Sequence, residues 1–337
     1  MMRLPLHCAL PLLGAVLLLI ALTSLYSGAM PLTMNDTWLA LWGYGDPTHQ
    51  LVIWQIRLPR SLMAMAVGAL LALSGAVLQG LFRNPLADPG IIGVSGGAAL
   101  GAGLAIVLLP TLTLPWLTLG STTMLAFIGG MLTTLLVYRL GRGPFGTSMA
   151  MMLLAGVAVG AIAFSVLGLL NYVADDEQLR DLSLWQMGSL AGASWQRVAL
   201  TLLMATLFWG WSQRQAGSLN ALLLGEPEAR HLGVAVEHLK RQAILLCALA
   251  VGIAVAAAGM IGFIGLMVPH LVRLISGPDY RRLLPLSALG GALLLLCADL
   301  LARAIAPPAE VPVGLITALL GAPFFLWLLH QQRGGRP

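Results

Sequence analysis

The stretch QAILLCALAVGIAVAAAGMIGFIGLMVPHLV, Gln242 to Val272, holds no Asp, Glu, Lys or Arg in 31 consecutive positions. An apolar run of about 20 residues crosses a bilayer as one helix, so this run is too long for a single ordinary crossing. Both flanks are basic, with Lys240 and Arg241 before it and Arg273, Arg281 and Arg282 after it. Positive charge collects on the cytoplasmic side of a membrane, which places both flanks there and makes the chain cross twice. Two crossings share the run at about fifteen residues each, so at least one is short or broken. Gly259, Gly262, Gly265 and Pro269 supply the break. Broken helices at membrane depth line cavities enclosed by protein.

Outward from that stretch the same chemistry continues. Of 337 residues, 58% are hydrophobic and 9% charged, against roughly 25% charged in a soluble domain. The fold class is therefore an all-α polytopic membrane protein in contact with lipid. Further spans are expected at Ala9–Tyr26, Ser61–Phe82, Gly93–Leu109, Leu119–Leu140, Met149–Leu170, Trp195–Trp211, Leu284–Ile305 and Val311–Leu329. Ala9–Tyr26 is longer than a signal-peptide core, and Ser27-Gly28-Ala29 is a poor cleavage site, so the run reads as a retained span. With the double crossing, the reading is one domain over 1–337 with about ten transmembrane helices and both termini cytoplasmic. That threading leaves 13 basic residues inside and five outside: Arg57, Arg60, Arg180, Arg197 and Arg303. The longest outer loop carries Asp175, Asp176, Glu177 and Asp181.

Several function classes fall away. The net charge of +5 is scattered between apolar segments and gives no nucleic-acid patch. Cys8, Cys247 and Cys297 have no paired spacing, so neither a disulfide framework nor a metal site is expected, and no cofactor is implied. A phosphate-cradling loop ends in Gly-Lys-Ser/Thr; the only lysine, Lys240, follows Leu239, so any ATP used must be hydrolysed by another subunit. Gly75 to Pro85 and Gly259 to Pro269 share a ten-residue spacing, but both run from outside to inside, whereas inverted halves require opposite directions. The match reads as coincidence.

Four groups of residues could carry chemistry. Gly93-Val94-Ser95-Gly96-Gly97 fits the pattern of a serine nucleophile, yet it needs a histidine base, and His270 follows Pro269 without the required context; small residues here suit helix packing. Asp299 is the one acid well inside a span, with Arg303 four residues on, either a local ion pair or the single carboxylate of a proton-coupled carrier. Residues 218–233 read as two short amphipathic helices broken at Gly225, an interfacial element or a docking loop. Arg57-Leu58-Pro59-Arg60 places two exposed arginines outside, suited to carboxylates on a partner or to anchoring a helix end.

These segments also carry a resemblance. Ile56-Arg57-Leu58-Pro59-Arg60, Gly75-Ala76-Val77-Leu78-Gln79-Gly80, and Arg83-Asn84-Pro85-Leu86-Ala87-Asp88-Pro89-Gly90 resemble the hallmark stretch of FecCD-type permeases. These are the membrane subunits of ABC importers for vitamin B12, ferric siderophores and hemin. Gly262-Phe263-Ile264-Gly265-Leu266 with Pro269-His270, and Gly321-Ala322-Pro323, fit as well. Over nearly the whole chain the likeness is greatest to the hemin-uptake permeases. The resemblance implies a type II ABC importer permease fold, a homodimer, two ATPase subunits below and a periplasmic binding protein above. It implies an ATPase-coupling loop over 217–241, carried by Gly225, Glu226, Ala229, Arg230, Leu232 and Gly233. It implies docking of the binding protein on Arg57, Arg60 and Arg303. The path would follow the dimer interface, and the cytoplasmic gate between the fourth and fifth spans would hold Thr147 and Ser148.

Overall fold

The computed structural model describes residues 6–28, 30–109, 120–144, 146–307 and 309–334. Leu119, the expected start of the fourth span, and the terminal basic residues Arg3 and Arg336 lie outside them. Among the described residues six helices are long and apolar enough to cross a membrane, and three shorter apolar helices accompany them. The long ones include α1 (Leu6–Tyr26), α6 (Ser121–Gly141), α7 (Met149–Val173), α11 (Val236–Ala258) and α13 (Tyr280–Ile305). The sixth runs Pro47–Leu81; it comprises α3 (Pro47–Leu51), a wide turn over Val52–Arg57 and α4 (Leu58–Leu81). The shorter ones are α5 (Val94–Leu108), α12 (Ile264–Ser276) and the apolar part of α14 (Val313–Gly334). Between them lie α2 (Met34–Leu41), α8 (Asp176–Met187), α9 (Trp195–Leu224) and α10 (Glu226–His231). A two-residue hairpin, β1 (Arg142–Gly143) and β2 (Gly146–Thr147), joins α6 to α7.

The double crossing behaves as its glycines require. α11 stops at Ala258, Gly259 turns at φ +72°, and α12 resumes at Ile264. At 13 residues α12 is about 20 Å long, shorter than a hydrocarbon core of about 30 Å. Pro269 inside it has no N–H, so the carbonyl four residues back, on Gly265, loses its helical partner. Gln79 on α4 replaces it, donating from Nε2 to Gly265 O at 3.3 Å and to Leu266 O at 3.2 Å. Gly75 makes this approach possible: a Cβ there would lie 1.7 Å from Gly265 O. The two glycine stretches of matching spacing thus meet in space.

α4 is the hub, packed by α9, α11, α12 and α13. Its apolar window is 83% buried, against 11% for α1, 28% for α6 and 22% for α7. Those peripheral helices expose Leu12, Leu18, Leu132, Leu154 and Ile162, a surface fit for lipid and costly in water. α4 runs antiparallel to α13, with Gly68 so close to Gly291 that a Cβ would sit 2.2 Å from its carbonyl oxygen. Small residues that let backbones touch are the means of helix association where lipid removes the hydrophobic drive.

Two boundaries differ from expectation. The span expected at Ser61 begins at Pro47, because the wide turn absorbs Pro59: Leu58 N donates five residues back to Ile53 O, so the helix passes the missing donor unbroken. Arg57 and Arg60 are therefore inside a helix and buried, at 4% and 6% exposure, and not an exposed pair. The first of the two short helices expected around Gly225 is the end of α9, since Gly217 alone costs only about 1 kcal/mol in a helix of 30 residues. The break at Gly225, at φ +130°, is as expected.

Gly75→Ala should push α4 off α12 and lower the unfolding free energy by about 1–3 kcal/mol. The check is the melting temperature of the purified protein in detergent, set against an Ala substitution at Gly210, where an added Cβ meets nothing within 4 Å.

Candidate functional site

At one end of the bundle the three singled-out arginines come together. Asp299, fully buried on α13, takes Arg60 from α4 at 2.8 Å and Arg303 from its own helix at 3.1 Å. Arg60 Nε adds a bond to Asp299 at 2.9 Å, and its Nη1 holds Glu310 at 2.7 Å. Arg303 reaches back to α1, donating to Ser24 Oγ at 2.8 Å and to Ser27 O at 3.1 Å. Arg57 donates to the carbonyls of Leu25, at 2.8 Å, and of Met30. The local Asp299–Arg303 pair expected from sequence exists, but its stronger partner is Arg60, 239 positions away. With both oxygens on guanidiniums, Asp299 is a structural counter-ion, not a free proton carrier.

Among the described residues no histidine is hydrogen-bonded to Ser95 as a base. Both ring nitrogens of His270 lack any hydrogen-bond partner, and the ring lies edge-on to Phe324. The serine-protease reading has no support.

At the other end lies the predicted coupling loop. Pro227 follows Glu226 in the first turn of α10, where its missing N–H is harmless and the acid meets the positive end of the helix. Ala229 is fully buried and holds α10 down, whereas Arg230 and Leu232 face out. Gly233 closes the helix at φ +84°, with Gly233 N on Arg230 O and Val234 N on Ala229 O. Asn220, near the end of α9, spans to α13: it donates to Asp279 at 2.7 Å and accepts from Tyr280 N at 2.9 Å. The bond from Asn220 holds the Asp279 carboxyl below its usual range.

Thr147 and Ser148 follow the hairpin turn. Ser148 is exposed and caps α7, accepting from Met151 N. Thr147 is buried and donates from N and Oγ1 to Glu237 Oε2, each at 3.0 Å. Lys240 donates to Thr147 O at 3.0 Å and pairs with Glu226 at 2.7 Å and Glu237 at 3.2 Å. One lysine thus joins the predicted coupling and gate segments. Sequence reasoning passed over Glu237, Glu310, Ser24 and Lys240; of these only Lys240 gave a signal, as the sole lysine in an arginine-rich chain.

The fold and its two polar ends define a multi-pass helical membrane protein of the transport type. The FecCD transport family model matches residues 16–331, and the chain belongs to that family. It is 48% identical over 328 residues to the hemin transport system permease protein HmuU of Yersinia pestis, covering 96% of this chain and 97% of that one. To the vitamin B12 import system permease protein BtuC of Vibrio cholerae it is 42% identical over 301 residues, 89% of each chain. Among solved structures, an inward-facing metal-chelate type ABC transporter chain superposes with TM-score 0.83 and 36% identity, over 96% of this chain and 98% of that one. PsaBC from Streptococcus pneumoniae, at 20% identity and TM-score 0.57 over 83% and 92%, shares the fold. The resemblance read in the sequence and the type II importer permease fold are borne out.

Asp299→Ala leaves two buried guanidiniums facing each other. It should cost about 3–5 kcal/mol, and Asp299→Asn, which keeps the shape and one acceptor, should cost less. Thermal unfolding of the two variants in the same detergent tests the order.

Proposed function

We propose that this chain is the membrane-spanning permease of an ABC importer in the bacterial inner membrane. It moves an iron chelate, hemin before a ferric siderophore or vitamin B12, from periplasm to cytoplasm. The observation that carries the reading is the 48% identity to a hemin permease along 96% of the chain. Two copies form the pathway between them, each with ten spans and cytoplasmic termini; α9 supplies the crossing that its polar residues hide from a hydropathy count. Two copies of a separate ATPase dock on the loop 217–241. Exposed Arg230, paired with Glu226 at 3.4 Å, is a contact such a subunit can take over, and Thr147 and Ser148 form the cytoplasmic gate.

The experiment is uptake into proteoliposomes holding permease, ATPase and binding protein, with labelled hemin, cobalamin and a ferric siderophore offered in turn. Hemin should enter in an ATP-dependent way and the others should enter poorly. Arg230→Glu should leave the permease dimer intact and abolish uptake; substrate-stimulated hydrolysis at the wild-type rate in that variant removes the loop assignment.

A periplasmic binding protein docks at the end that holds Arg57, Arg60 and Arg303. The burial of these arginines gives this docking a particular form. Glu310 is half-exposed, at 41%, while the Arg60 it holds is 7% exposed. Glu310 therefore occupies the position an incoming partner carboxylate would take, and docking exchanges one for the other. Glu310→Ala should leave Arg60 with only the Asp299 it shares with Arg303 and speed binding-protein association at low salt, with the gain shrinking as salt rises. Surface-plasmon association rates across a salt series read this out, and unchanged rates would place the partner elsewhere.

A further inference from the structure

We infer that Lys240 is the positioning residue that ties the coupling helix to the gate, so that displacement of α10 reaches Thr147 directly. This rests on the reading of α10 as the ATPase-coupling element and deepens it.

The geometry is fully used. Lys240 is 2% exposed, and a buried ammonium is costly unless paired and hydrogen-bonded. An ammonium has three protons to donate. Here it donates to Thr147 O on β2 and to Glu237 Oε1 on α11, and it forms an ion pair with Glu226 Oε1 on α10 at 2.7 Å. Glu237 in turn receives Thr147 N and Oγ1 on its other oxygen. The three polar atoms of Thr147 are thus all held by this pair of side chains. α10 is six residues long and follows Gly225, whose backbone lies outside the ordinary helical region, so it can pivot about that glycine. A shift of a few ångströms in α10 cannot keep the 2.7 Å contact between Glu226 and Lys240 unless Lys240 follows. If Lys240 follows, it pulls on the Thr147 carbonyl. If it does not, the buried ammonium loses a counter-charge.

A lysine chosen only to fill space could be replaced by an apolar side chain of equal length. The stem of Lys240 would be replaced well by methionine, whereas its two hydrogen bonds and its ion pair to Glu226 would not. The carboxylates are half-open to water, with Glu226 at 31% and Glu237 at 43%. They can therefore stay charged and solvated without the lysine, and its loss should spare the fold while cutting the link.

The test uses the reconstituted complex of permease, ATPase and binding protein, and measures hemin uptake and ATP hydrolysis in the same vesicles. Lys240→Met should assemble, continue to hydrolyse ATP and carry about tenfold less hemin per ATP, within the usual range of a coupling free energy. Lys240→Arg, which keeps the charge and several donors, should recover part of that ratio. Glu226→Ala removes the α10 end of the tie together with the 3.4 Å pair to Arg230 and should lower the ratio in the same way. Wild-type uptake per ATP in either Lys240→Met or Glu226→Ala overturns the inference, and Glu226→Ala decides the matter if Lys240→Met does not fold. If the wild-type complex itself shows no ATP-dependent uptake of hemin, cobalamin or ferric siderophore, the importer reading fails instead, before Lys240 is at issue.

Discussion

Pro269 takes one hydrogen bond out of α12, and α4 supplies its replacement. Much of the bundle depends on that exchange. In lipid no water can satisfy a carbonyl released by proline, and an unsatisfied backbone group there is costly. Gly265 O is therefore met by Gln79, and Gly75 on α4 gives up its side chain so that the backbones can come within reach. α4 makes equally close contacts with antiparallel α13. Gly68 touches Gly291, and Tyr280 Oη donates to Ala76 O at 3.1 Å. A helix held in this way on four sides becomes the rigid centre of the bundle, and the less buried α1, α6 and α7 lie at its periphery.

Each end of this rigid centre carries a buried ionic cluster, and the two differ in kind. The outer one has a single carboxylate without solvent contact, Asp299, between two guanidiniums, with a more exposed glutamate at its edge. It pins α1, α4 and α13 to one another, and its planar guanidiniums suit such a role because each can serve several acceptors at once. The inner one has a single buried ammonium among two partly exposed carboxylates and a carbonyl. Its partners sit on three elements, one of them the six-residue helix α10. A cluster of the first kind resists movement. One of the second kind transmits it, since its members belong to parts that can shift relative to one another.

Transport across a membrane needs both. On the proposed reading the pathway is framed by helices that keep their positions, and its cytoplasmic end responds to the displacement of α10. The break at Gly259–Phe263, with φ +72° at Gly259 and +69° at Phe263, lies in the frame and gives α12 its short length without loosening it. α10 is bounded instead by two positive-φ glycines, Gly225 and Gly233.

The sequence by itself determined the membrane class, the break of the Gln242–Val272 run into two helices, the break at Gly225 and the family. Each of these rests on local signals: the length of an uncharged run, basic flanks, glycine and proline positions, and ordered motifs. Only the tertiary structure decided what the charged residues do. Arg57 and Arg60 look exposed beside Pro59 because a proline ordinarily marks a helix start; the wide turn before it carries the helix through and turns both side chains inward. Asp299 and Arg303 look like a self-contained pair at four-residue spacing, until α4 brings Arg60 in from 239 positions away. Lys240 was legible as a flank charge that sets topology, and its acceptors on Glu226 and Thr147 were not. Helical periodicity ties a residue to neighbours three and four positions away. A buried charge instead chooses its partners across helices, wherever the fold leaves an acceptor that water cannot reach.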